Sequence, residues 1–123
     1  MKTVFAVDDS ATARASIEYT LKKEGYNVEL ATDGLDALSK IDKFTGDIDL
    51  FLFDVNMPNM DGITLIKKVR ELKNHKFTPI LFLTTESQES KKMEGKSAGA
   101  SGWIVKPFEP DTFLALVKRF TSN

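Results

Sequence analysis

Cysteine is absent from this chain, histidine occurs once, and proline four times in 123 residues. The lack of cysteine excludes a disulfide framework and any thiolate metal site. His75 lies between Asn74 and Lys76 and reads as a solvated loop residue with no assigned role. No stretch of about 18 apolar residues occurs, which argues against a membrane span. The opening Met-Lys-Thr-Val runs straight into a short apolar segment without a signal-peptide core, so a soluble, cytoplasmic protein is expected. A dominant charge is missing too. Seventeen Lys plus Arg stand against 18 Asp plus Glu, a net charge of -1, which gives no general attraction to nucleic acid or anionic lipid. With no repeats, low-complexity tracts or linkers, residues 1–123 read as one domain. Such a length buries roughly two-thirds of its unfolded surface.

What is present centres on the stretch from Leu50 to Gly62. Leu50, Phe51, Leu52 and Phe53 run into Asp54 without alternation, as in a parallel strand covered on both faces. Met57-Pro58 and Asp61-Gly62 then turn the chain away, and Asp61-Gly62 reads as a turn and helix start, with Met57 and Met60 as loop packing. Around this stretch strand and helix alternate. Strands are expected at Val4 to Val7, Asn27 to Ala31 (more polar, hence an edge), Asp49 to Phe53, Pro79 to Leu83 and Gly102 to Val105. Helices are expected from Ala11 to Glu24 behind a Ser10 cap, from Asp33-Gly34 through Ile41, from Gly62 through Leu72, from Ser87 to Ala98, and after Pro110. The fourth helix is nearly all polar, with Met93 its main apolar residue and Gly95 inside it, where glycine costs about 1 kcal/mol relative to alanine. Lys91, Lys92 and Lys96 read as its solvated face. Five βα units with right-handed crossovers predict a doubly wound α/β fold, with a five-stranded parallel sheet in the order 2-1-3-4-5 and five flanking helices.

That topology sends Asp8 and Asp9, Asp54, Thr84 and Lys106 to one edge, at the carboxyl ends of strands one, three, four and five. Ligands bind at such edges in open parallel sheets. Three carboxylates brought together repel one another unless a cation compensates. An all-oxygen donor set without His or Cys suits Mg²⁺, which keeps coordination places for phosphate oxygens. A hydroxyl from Thr84 and an ammonium from Lys106 complete the parts needed to hold a phosphoryl group, with Asp54 as the candidate nucleophile.

Five segments in register carry a resemblance: Val-Asp-Asp-Ser near the start, Asp-Val-Asn-Met-Pro, Asp-Gly, Thr84, and Gly-Trp-Ile-Val-Lys-Pro-Phe. The chain resembles the receiver domains of two-component response regulators, within them the single-domain chemotaxis type with its flavodoxin-like (CheY-like) fold. The resemblance implies that Asp54 accepts a phosphoryl group from a phosphohistidine on a sensor histidine kinase. It implies Mg²⁺ held directly by Asp9, Asp54 and the backbone carbonyl of Asn56, with Asp8 acting through water. Lys106 would pair with the carboxylate and then with the phosphoryl oxygens, and the Lys106-Pro107 peptide would be cis. Thr84 would swing toward the phosphoryl group, and Trp103, where the family usually has tyrosine or phenylalanine, would turn inward to fill the vacated space. Helix four, strand five and helix five would form the output surface. Asn56, Thr85 and Glu86 would tune phosphoryl lifetime, Thr85 replacing a commonly smaller residue.

The expected protein is therefore not an enzyme in its own right, although it assists its own phosphorylation and dephosphorylation. It would be a monomeric switch without an output domain, served by a chemotaxis-type kinase, a possible phosphatase and a downstream target such as a flagellar motor switch. A pilus motor, a phosphate sink or a phosphorelay would use the same residues. An aspartyl-phosphate hydrolase would need a general acid where Asn56 stands, and a nucleotide-binding module needs a glycine-rich cradle where Asp8-Asp9-Ser10 stands. The remaining rival is a receiver fold used only as an unphosphorylated scaffold.

Overall fold

The chain alternates β1 (Thr3–Val7), α1 (Ala11–Lys23), β2 (Asn27–Ala31), α2 (Gly34–Lys43), β3 (Leu50–Asp54), α3 (Gly62–Arg70), β4 (Ile80–Thr85), α4 (Glu89–Ala98), β5 (Gly102–Lys106) and α5 (Pro110–Thr121). In this computed structural model, which describes residues 1–85 and 89–122, all strand pairs are parallel and the order is β2-β1-β3-β4-β5, as the alternating pattern predicts. Among the described residues no helix is long and apolar enough to cross a membrane.

The period of two along each strand divides the core into two chemically different halves. Phe5, Phe51, Phe53 and Phe82 face the side covered by α2 and α3, where Ala37, Ile41, Ile63, Ile66 and Val69 meet them. Val4, Leu50, Leu52, Leu81 and Ile104 face the side covered by α1 and α5, against Ile17, Leu21, Phe113 and Val117. Leu50 to Phe53 are wholly excluded from solvent. Four such side chains contribute roughly 6–12 kcal/mol of transfer free energy, which fixes the height at which Asp54 emerges.

Polar side chains start three of the helices at the carboxyl edge of the sheet. Ser10 Oγ accepts from the Ala13 N–H at 3.2 Å, Asp33 Oδ1 from Asp36 at 2.8 Å and Asp61 Oδ1 from Thr64 at 2.8 Å. Each cap is worth about 1 kcal/mol and orients its helix from that edge. Gly62 is more than a helix start. A Cβ there would collide with the backbone carbonyl of Asp54, so glycine alone lets α3 begin so close to the end of β3.

The structure adds to the reading of α4 and corrects that of His75. Met93, the main apolar residue of α4, is 76% exposed, whereas Gly95 is its buried residue and lies so close to the Phe82 ring that a Cβ there would run into it. The described part of that helix begins at Glu89, so the expected start at Ser87 lies outside the described residues. His75 is half-buried rather than solvated: its ring meets Phe51 edge-on at 5.1 Å, and Nδ1 lies 3.1 Å from Thr78 Oγ1. Burial and then the Arg70 charge hold its pKa below the ordinary imidazole value. Arg70 itself donates to the carbonyls of Gly99 (2.9 Å), His75 (2.9 Å) and Thr78 (2.6 Å), tying together two chain reversals at the end of the sheet remote from Asp54.

Candidate functional site

Register brings the sequence-predicted residues to a common edge. Val7 is level with Phe53, Asp54 with Leu83 and Thr85 with Lys106. Asp8 and Asp54 are buried, at 1% and 6% exposure, while Asp9 is exposed. One carboxylate oxygen from each of the three lies within 4.8 Å of the others. Lys106 Nζ stands 3.3 Å from Asp8 Oδ2 and 3.4 Å from Asp54 Oδ2, bridging the two buried acids. Burial pushes the Asp54 pKa up to about 6; Lys106 opposes that rise and the Asp8 charge adds to it.

Among the described residues, three acids against the Lys106 ammonium and the Arg14 guanidinium leave the site short of positive charge. Its donors are all carboxylate oxygens, which fits a hard divalent ion such as Mg²⁺ and not a thiophilic metal. The loop after β3 is held against α2. Asn59, in the left-handed region at φ 68°, donates through Nδ2 to Asp33 Oδ2 at 3.1 Å, and the Met60 side chain packs onto Gly34. Within that loop the Asn56 N–H lies 3.3 Å from Asp54 Oδ1.

Thr84 is 1% exposed at the end of β4, its hydroxyl donating to the Thr85 carbonyl at 3.4 Å. The Lys106-Pro107 bond is cis. Trp103 lies apart from the acids, 39% exposed, with its ring tilted against Phe82 at 6.2 Å. Lys92 is not part of a wholly solvated face: its Nζ sits 5.8 Å above the indole and 2.9 Å from Glu89 Oε1. Glu86 lies outside the described residues. One contributor escaped the sequence reading. Arg14, on α1, donates from Nη1 to the Asp8 carbonyl at 2.7 Å; its one sequence signal is a basic residue near a helix start just after two acids.

The family model of the response regulator receiver domain matches residues 4–118. The chain belongs to the response regulator receiver family. This receiver domain is 40% identical over 115 residues to the transcriptional regulatory protein DltR of Streptococcus agalactiae, covering 94% of the chain and 50% of DltR. It thus spans half the length of that relative. It is also 39% identical over 110 residues to the chemotaxis protein CheY-3 of Vibrio cholerae, covering 89% of the chain and 83% of CheY-3. Among solved structures, Vibrio cholerae CheY4 superposes with a TM-score of 0.91 at 49% identity over 98% of both chains. A response regulator from Chloroflexus aurantiacus gives 0.91 at 38% identity, covering 99% of this chain and 98% of that one. The receiver is thus CheY-like in sequence and fold.

Proposed function

We propose that Asp54 is the phosphoryl acceptor of this receiver and that the protein serves chemotaxis or motility signalling. The observation that carries the proposal is the Lys106 ammonium standing within 3.4 Å of Asp54 Oδ2 and 3.3 Å of Asp8 Oδ2, with Asp9 beside them. An Asp54 carboxylate oxygen attacks the phosphorus of a phosphohistidine on a sensor histidine kinase. The new P–O bond forms as the P–N bond breaks, and the imidazole leaves with the bonding electron pair. Lys106 keeps Asp54 oriented and offers its N–H groups to the phosphoryl oxygens. Thr84 offers its hydroxyl from the next strand. Asp9, Asp54 and the Asn56 carbonyl would hold Mg²⁺, with Asp8 acting through water; when bound, that ion offsets the charge gathered between carboxylate and phosphoryl group.

Phosphorylation adds up to two negative charges and three strong acceptors beside Thr84. Drawing its hydroxyl away from the Thr85 carbonyl changes the end of β4, from which the chain leads to α4. The signal then passes by docking through α4, β5 and α5, with Trp103 exchanging its surface position for an inward one. Moving such an equilibrium from mostly off to mostly on takes roughly 5.5 kcal/mol, within reach of a few charge-assisted hydrogen bonds. Similarity to CheY-3 and CheY4 over most of their lengths favours a chemotaxis-type kinase and a motor-switch target.

The test is phosphorylation by acetyl phosphate with Mg²⁺, followed by mass spectrometry of the intact chain and its peptides. Covalent phosphate on Asp54, lost in Asp54→Asn and in chelator, is expected. Phosphate on another residue, or none on a folded protein, would remove Asp54 from this role.

A further inference from the structure

Asp8 is engaged at all four of its polar groups. Its N–H donates to the Ala31 carbonyl at 3.2 Å, its carbonyl accepts from Arg14 Nη1 at 2.7 Å, Oδ1 accepts from the Ser10 N–H at 2.9 Å, and Oδ2 faces Lys106 at 3.3 Å. Asp9, the next residue, is exposed. The two adjacent acids therefore differ in freedom: one is fixed on every side and the other projects outward.

Arg14 is out of place by the electrostatics of its own helix. It stands near the N-terminal end of α1, where unpaired N–H groups already leave positive partial charge, whereas Lys22 and Lys23 occupy the last turn, which favours cations. It is half-buried, and the contact that accounts for its position is the Asp8 carbonyl. That bond spans the β1–α1 turn from the helix side. Ser10 contributes twice to the same turn, through its N–H to Asp8 and its Oγ to Ala13.

We propose that Arg14 is a positioning residue for divalent-cation binding. By holding the Asp8 carbonyl it fixes the β1–α1 turn, commits the Asp8 carboxylate to Ser10 and Lys106, and presents Asp9 to the ion. The inference rests on the Mg²⁺ site of the preceding section. A different role, as a mere screening charge, predicts the opposite sign: removing a cation beside three acids would tighten Mg²⁺ binding.

Calorimetric titration of Mg²⁺ into the full chain separates these roles, alongside melting curves taken in chelator. Arg14→Ala is expected to raise the Mg²⁺ Kd about tenfold, as loss of an outer-shell partner does. Arg14→Lys, which restores an N–H donor near the carbonyl, is expected to recover most of that loss. Arg14→Gln keeps part of the stem's packing but lacks the charge and the reach, and decides the matter if the alanine variant does not fold; it should bind several-fold more weakly. Unchanged or tighter Mg²⁺ binding by a folded Arg14→Ala or Arg14→Gln would overturn the proposal, even if the chelator melting temperature fell. Wild-type protein that binds no Mg²⁺ would overturn the site itself and this inference with it, whereas wild-type binding matched by the variants would overturn this inference alone.

Discussion

Replacing Asp54 by asparagine should stabilise the metal-free protein. The Asp54 carboxyl has its pKa raised from 3.8 to about 6, chiefly by burial, with Lys106 only partly compensating. The folded state therefore binds this proton more tightly than the unfolded chain. Stability from that proton is complete below about pH 4 and is lost as pH rises through about 6. Above that range the ionised carboxylate is a cost. A rise of that size corresponds to about 3 kcal/mol, and solvent screening at a sheet edge reduces this to about 1–2 kcal/mol. The asparagine side chain carries no such charge, while its amide oxygen can still accept from the Asn56 N–H. In chelator at pH 7.5, Asp54→Asn should thus melt about 4–8 °C above wild type. Three conditions test the origin of the gain. It should shrink toward zero near pH 4, where wild type is protonated as well. It should also shrink in saturating Mg²⁺, which stabilises wild type by mass action and leaves the variant little changed. Differential scanning calorimetry across pH, with and without Mg²⁺, reads all three. A variant no more stable than wild type at pH 7.5, or one whose gain persists unchanged at pH 4, would refute the account of Asp54 as a carboxylate held at a cost for use.

Two further expectations concern α4 and its neighbours. Gly95→Ala gains about 1 kcal/mol of helix propensity but forces a methyl group into the Phe82 ring, at about 1–3 kcal/mol. Net destabilisation is expected as a lower urea midpoint, and a raised midpoint would mean that α4 does not need glycine to approach β4. Lys92→Ala uncovers the indole of Trp103 and removes a cation–π contact worth about 0.5–1 kcal/mol at an exposed site. Emission from this lone tryptophan should shift to longer wavelength and become more open to acrylamide quenching; identical spectra would show that Lys92 does not cover it.

Where a residue's role depends on its own segment, the sequence made it legible. Leu50 to Phe53 form an unbroken apolar run because both faces of β3 are covered, and the residue after such a run reaches the ligand edge. Once strand order follows from right-handed crossovers, Asp8, Asp9, Asp54, Thr84 and Lys106 must collect there. Roles that depend on a distant partner were hidden. Gly95 looked like a weakness until Phe82, from β4, stood opposite it. Without an apolar side chain at that contact α4 shows no hydrophobic stripe, which is why Met93 drew notice and then lay in solvent. His75 resembled any loop histidine because Phe51 approaches from 24 positions earlier in the chain. Arg14 matched a solvated helix face because its acceptor is a backbone carbonyl, which no pattern of residue types reveals.

The Arg70 clasp has a mechanical consequence for α4. Its guanidinium holds the Gly99 carbonyl just beyond the last residue of that helix, at 2.9 Å, while the same group is anchored to His75 and Thr78 on the way into β4. The opposite end of α4, at Glu89, follows Thr84 and Thr85 in the chain. A ten-residue helix is about 15 Å long, so α4 is a beam of that length pinned just beyond its last residue. In the proposed switch, a displacement that starts at the threonines would become a rotation about the arginine, smallest at the pin. A small shift at the Glu89 end would sweep the outer face of α4 through an arc, and a partner gripping that face would feel a change of angle more than a change of distance.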